Sequence, residues 1–137
     1  MSRHVVARVS EVPPEGALRV TVKGRPIALF NLSGEFFALY DRCPHEGASL
    51  CAGRRVSIAV ADTPGEYRLE RRGEMIRCPW HGWDFDIRTG QSWCDPEHTR
   101  VRRYAVSVEA GERLAKGPFR AESVPVSVED DYLVVEV

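Results

Sequence analysis

Two short segments set a cysteine close to a histidine in the chain: Cys43-Pro44-His45 and Cys78-Pro79-Trp80-His81. Together they supply two thiolates and two imidazoles, a complete four-ligand set for a soft or borderline transition metal. The proline after each cysteine removes a backbone N–H and stiffens its loop, so two such loops can close over one metal centre. Cys51 and Cys94 lie outside these boxes and read as buried or incidental thiols, because the ligand set is complete without them. His4, near the start of the chain, and His98, in the polar run Asp95-Pro96-Glu97-His98-Thr99, read as surface histidines.

The boxes interrupt a chain of short alternating apolar segments punctuated by Gly, Pro, Asp and Asn, which is the pattern of an all-β, antiparallel domain. Strands are predicted over residues 5–9, 18–22, 26–31, 35–40, 55–60, 66–71, 101–108 and 131–137. Ser33-Gly34 and Asp62-Thr63-Pro64-Gly65 supply the turns of two hairpins. Residues 75–77 lead into Cys78, and residues 83–87 lead away from the second box to a Thr89-Gly90 turn. Helix signals are weak, and residues 111–118, polar and glycine-containing, read as a surface excursion or the start of an added hairpin.

At 137 residues the chain has the size of one domain and buries enough surface to stand without a disulfide framework. Nineteen Lys and Arg against twenty Asp and Glu leave a net charge of -1, with the signs interspersed. Such a balance provides no field for nucleic acid or an anionic membrane surface. The adjacent pairs Arg54-Arg55, Arg71-Arg72 and Arg102-Arg103 place neighbours on opposite faces of a strand, so they read as solvated edge residues. No apolar run approaches the roughly 20 residues of a membrane span, and the start of the chain has no signal-peptide core. A cytoplasmic protein is expected.

The two boxes resemble the signature of the Rieske 2Fe-2S proteins, Cys-x-His followed later by Cys-x-x-His. Glu46-Gly47-Ala48-Ser49-Leu50 after the first box, and Gly82-Trp83-Asp84-Phe85-Asp86 with Thr89-Gly90 after the second, look like that family's cluster-covering loops. The resemblance implies a Rieske-type antiparallel β-sandwich spanning residues 1–137, with a small cluster-binding subdomain over about residues 41–95. It implies one 2Fe-2S cluster, with Cys43 and Cys78 on one iron and His45 and His81 on the other. Residues 46–77 separate the boxes, 32 residues against about half that in the family's small ferredoxins, and the surplus falls on a hairpin over about residues 55–72. An inserted hairpin costs little loop entropy and need not disturb the site.

Imidazole ligation raises the reduction potential into a window of about -150 to +300 mV. The family's high-potential branch has an extra cysteine pair and two hydroxyl donors; here those places hold Ala48, Trp80, Trp83 and Phe85, which implies the low end and the ferredoxin-type branch. Trp80, Trp83, Trp93 and Phe85 read as an aromatic group shielding the cluster. The implied function is one-electron transfer from an NAD(P)H-dependent reductase to a terminal oxygenase, by a carrier that is not itself an enzyme and binds no organic substrate. A complete oxygenase needs a second iron site of two histidines and a carboxylate, and only His4 and His98 remain for it. Other readings are a small subunit of an assimilatory nitrite reductase, a redox-sensing subunit and a zinc-binding structural module, the last being allowed by the ligand set alone. Cys51→Ser and Cys94→Ser are both expected to leave the cluster intact; loss of iron from either variant on elemental analysis would make that thiol a ligand.

Overall fold

Alternating β-branched and aromatic residues pair here in antiparallel ladders. The computed structural model describes residues 3–43, 49–79, 83–92, 97, 99–116 and 129–137. Among them the strands are β1 (Arg3–Arg8), β2 (Ala17–Val22), β3 (Arg25–Leu32), β4 (Glu35–Tyr40), β5 (Arg54–Thr63), β6 (Glu66–Arg77), β7 (Asp84–Asp86), β8 (Arg103–Tyr104), β9 (Val106–Ala110) and β10 (Asp131–Glu136). A 3-10 turn at Val9–Glu11 and a short helix, α1 (Gly111–Lys116), complete the described elements. The chain divides into two compact units, Met1–Tyr40 with Arg103–Val137, and Asp41–Arg102.

The first unit holds a three-stranded sheet in the order β1-β10-β9 and a four-stranded sheet in the order β2-β3-β4-β8. Two-residue turns at Lys23-Gly24 and Ser33-Gly34 join β2 to β3 and β3 to β4, with both residues of each turn at positive φ. That backbone matches the twist of the strands it connects. Val6, Ala7, Leu133 and Val135 of the first sheet share one core with Val22, Ile27, Leu29, Ala38 and Tyr104 of the second. Burying one large side chain of this kind stabilises the fold by roughly 1.5–3 kcal/mol.

Three features of this unit depart from the alternation. Residues 101–108 do not form one strand: β8 pairs with β4 and β9 pairs with β10, so the chain changes sheets at Ala105. The Ala105 carbonyl accepts a 3.0 Å bond from the Glu136 N–H at that corner. Alternation cannot reveal a strand that changes sheets, because both halves keep the same period. Residues 111–116 are helical rather than an excursion or hairpin, with the Gly111 N–H donating to the Asp130 carbonyl at 2.7 Å. Leu114 of α1 packs with Val5, Tyr132 and Val134, covering the outer face of the three-stranded sheet. His4 is 2% exposed rather than a surface residue. Val5 faces one cluster while Val6 and Ala7 belong to the other, so β1 offers His4 no solvent side.

The second unit contains a three-stranded sheet in the order β5-β6-β7. β5 and β6 pair from Arg54↔Arg77 to Thr63↔Glu66, with irregularities between Val56 and Ile58 and between Ala61 and Thr63. β7 pairs with β6 at Met75, Ile76 and Arg77, and its Phe85 also bridges to Ser92, so among the described residues the rest of the β5–β6 pair is a two-stranded ribbon closed by Pro64 and Gly65. Residues 75–77 are the end of β6 and lead directly into Cys78. Leu50, Met75, Ile76, Phe85, Ile87 and Val101 are buried in this unit. No helix among the described residues is long and apolar enough to cross a membrane.

Leu133, fully buried in the shared core of the first unit, tests this packing. Leu133→Ala is expected to lower the unfolding free energy by about 2–5 kcal/mol, through lost transfer energy and the cavity left behind. Equilibrium denaturation with an unchanged slope checks it, and a loss below about 1 kcal/mol would remove Leu133 from the core.

Candidate metal centre

The second box lies between two paired strands. Arg77, the last residue of β6, is opposite Asp84, the first of β7, and the intervening residues 78–83 form their connection. The Cys78 N–H donates to the Trp83 carbonyl at 2.8 Å, so the connection is closed by backbone as well as by strand pairing. Across the same position the Arg77 guanidinium makes a forked contact with Asp84, Nε to Oδ1 at 2.8 Å and Nη2 to Oδ2 at 3.1 Å. A half-exposed pair of this kind contributes about 0.2–1 kcal/mol, and its planar geometry fixes direction more than it adds stability. Below the closure, the Asp86 N–H donates to the Gln91 carbonyl and the Gly90 N–H to the Asp86 carbonyl, placing the predicted Thr89-Gly90 turn.

The first box follows β4. Asp41 and Cys43 are buried, and the Asp41 carboxylate accepts bonds from the Ser49 hydroxyl at 2.7 Å and from the Cys51 N–H at 2.7 Å. The chain then turns, with the Gly53 N–H donating to the Leu50 carbonyl at 2.9 Å. Gly53 lies so close to β6 that a Cβ there would overlap the Arg77 carbonyl oxygen and stand 2.9 Å from the Leu50 carbonyl. The tail of the first box thus rests against the residue immediately before Cys78. Ala52, Gly53, Arg54, Arg77, Cys78 and Pro79 line a cleft of about 420 Å³ at this junction.

Of the sequence-predicted ligands, Cys43 and Cys78 are each 1% exposed, and both are thiols, as is the half-buried Cys51. His45, His81, Cys94 and His98 lie outside the described residues, as do Trp80 and Trp93 of the aromatic group. Phe85 of that group is fully buried and Trp83 is half-buried. Among the described residues, which leave out His45 and His81, no three of His, Cys, Asp and Glu are grouped to hold a metal ion. Arg54, Arg102 and Arg103 are exposed and Arg55 is half-buried.

Residues 2–105 match the Rieske [2Fe-2S] domain. The chain belongs to the Rieske family. Its cofactor is accordingly a Rieske-type 2Fe-2S cluster, which decides against the zinc module that the ligand types alone allow. The donors fit: two buried thiols in two separate loops are what the all-cysteine iron of such a cluster requires. This Rieske chain is 34% identical over 112 residues to the 3-phenylpropionate/cinnamic acid dioxygenase ferredoxin subunit of Escherichia coli K12, covering 82% of the chain and 91% of that protein. The Sphingomonas yanoikuyae B1 ferredoxin is similar in structure, with a TM-score of 0.58 and 27% identity, covering 77% of this chain and 88% of that one. The ferredoxin of carbazole 1,9a-dioxygenase from Nocardioides aromaticivorans IC177 shares the fold, with a TM-score of 0.62, 20% identity and 97% of each chain covered.

Sequence reading missed Asp41 and Gly53. A carboxylate two residues before Cys43 and a glycine before a strand are common surface features, and only their burial and close approach distinguish them. Gly53→Ala is expected to cost about 1–3 kcal/mol, because the added methyl meets backbone that cannot rotate away. An unchanged denaturation midpoint for Gly53→Ala would show that the turn opens freely from β6.

Proposed function

We propose that this chain is a one-electron carrier that accepts electrons from an NAD(P)H-dependent flavin or iron-sulfur reductase and delivers them to a terminal oxygenase. The 2Fe-2S cluster, when bound, supplies the one-electron oxidation and reduction. In this reading Cys43 and Cys78 hold one iron and His45 and His81 the other. The observation that carries it is the burial of both box cysteines, each in its own loop, within a Rieske chain. The Escherichia coli relative is by name the ferredoxin subunit of a dioxygenase, and that role supplies the two partner classes.

The chain's own residues prepare the site rather than transform a substrate. The Cys78–Trp83 backbone bond and the Arg77–Asp84 pair hold the ends of the second box together. Phe85 adds buried apolar surface on β7 and has no hydroxyl to donate, which supports a potential at the low end of the family's range. The whole of residues 1–137 is read as one Rieske domain, with about residues 41–95 as its cluster-binding part and about residues 55–72 as an inserted hairpin. The carrier works in the cytoplasm, away from membrane and nucleic acid, and binds no organic substrate itself.

Electron paramagnetic resonance of the dithionite-reduced protein, with iron and sulfide analysis of the same sample, tests the reading. A 2Fe-2S signal with a low average g-value is expected, together with equal iron and sulfide; stoichiometric zinc without iron would overturn it. His45→Cys and His81→Cys are each expected to lose the mixed-ligand spectrum. An unchanged signal in either variant would take that histidine out of the ligand set.

A further inference from the structure

We infer that Asp41 is the positioning residue of the first cluster loop: its carboxylate clasps the two ends of the segment carrying Cys43 and His45 and thereby sets how that segment holds the iron. This inference rests on the proposed ligand role of Cys43 and His45. Asp41 is 1% exposed, and each carboxylate oxygen accepts a 2.7 Å bond from beyond the box, one from the Ser49 side chain and one from the Cys51 backbone. The two contacts reach eight and ten residues along the chain, so they bracket the whole of Cys43-Pro44-His45.

A carboxylate so deeply buried is costly unless its oxygens are satisfied, and removing its donors would leave that cost in the folded state. Keeping Asp41 buried therefore requires that Ser49 and Cys51 stay in place against it. A backbone N–H and a hydroxyl are among the groups that meet the two oxygens. The clasp also reaches the second box. Leu50 and Cys51 sit between Asp41's grip on one side and the Gly53 turn on the other, and Gly53 rests on the Arg77 carbonyl directly before Cys78. Asp41 thus fixes the first loop to the same stretch of backbone that leads into the second.

A merely fold-stabilising carboxylate would change the melting point and leave the spectrum of the bound cluster alone. A positioning carboxylate changes the spectrum and the lifetime of the cluster, and a substitution that restores the contacts rescues both. Asn offers one oxygen to the Cys51 N–H and an amide that donates to the Ser49 hydroxyl oxygen, so it can remake the clasp, whereas Ala cannot. The experiment compares as-isolated wild type, Asp41→Asn, Asp41→Ala and Ser49→Ala by reduced-state electron paramagnetic resonance and by the rate of iron release to a ferrous chelator.

Asp41→Ala is expected to shift the g-values and to release iron about tenfold faster, the size of effect that losing hydrogen bonds to a charged group produces. Ser49→Ala loses one contact and is expected to lie between Asp41→Ala and wild type, while Asp41→Asn stays within about twofold of wild type. If Asp41→Ala fails to fold by circular dichroism, Ser49→Ala decides alone: faster release with shifted g-values supports the clasp, and wild-type behaviour overturns it. Folded Asp41→Ala with wild-type g-values and release overturns it as well. A wild-type protein lacking the mixed-ligand signal overturns the cluster reading and the clasp together, which separates that failure from one confined to Asp41.

Discussion

A metal centre whose ligands come from two loops depends on what holds those loops when the metal is absent. If nothing does, the entropy of ordering both loops is charged against metal binding, at about 1–2 kcal/mol for each residue fixed. Here the second box is held by an antiparallel connection, closed at Cys78 and Trp83 and flanked by the Arg77–Asp84 fork. The first is drawn together through a buried carboxylate. Gly53, by coming close enough to exclude a side chain, lets the tail of the first box lie against the strand that ends at the second. The arrangement is local, and it asks little of any single contact.

The sandwich of the first unit solves a different problem. β10 reads Tyr132-Leu133-Val134-Val135, four apolar residues in succession, and a strand with one wet face cannot bury all four. The inner face meets the four-stranded sheet and the outer face meets Leu114 of α1. The short helix is therefore needed by the sheet more than it is favoured by its own sequence. The same double coverage accounts for the burial of His4 in β1.

The hairpins were legible because turn chemistry and alternation agree there: Ser33-Gly34 and Pro64-Gly65 fall where the strands reverse. The boxes stood out because few residue types bind a metal, and two matched pairs of them seldom occur by accident. The helix was missed because residues 111–116 contain glycine and charge, and the apolar run that calls for it lies fifteen or more residues further on. The break at Ala105 was missed because alternation reports faces and not partners. Asp41 was invisible for a simpler reason, that its importance lies in what reaches it from Ser49 and Cys51.

Among the described residues, the ribbon formed by β5 and β6 is joined by a third strand at one end, where Arg54 faces Arg77 and β7 pairs with β6. Strand geometry repeats every two residues, so adding or deleting a facing pair near Pro64-Gly65 leaves the phase of every position from Met75 to Cys78 as it was. The ribbon is thus a site at which descent can lengthen, shorten or recolour the molecule's outline in increments, while the chemistry at its root is inherited unchanged.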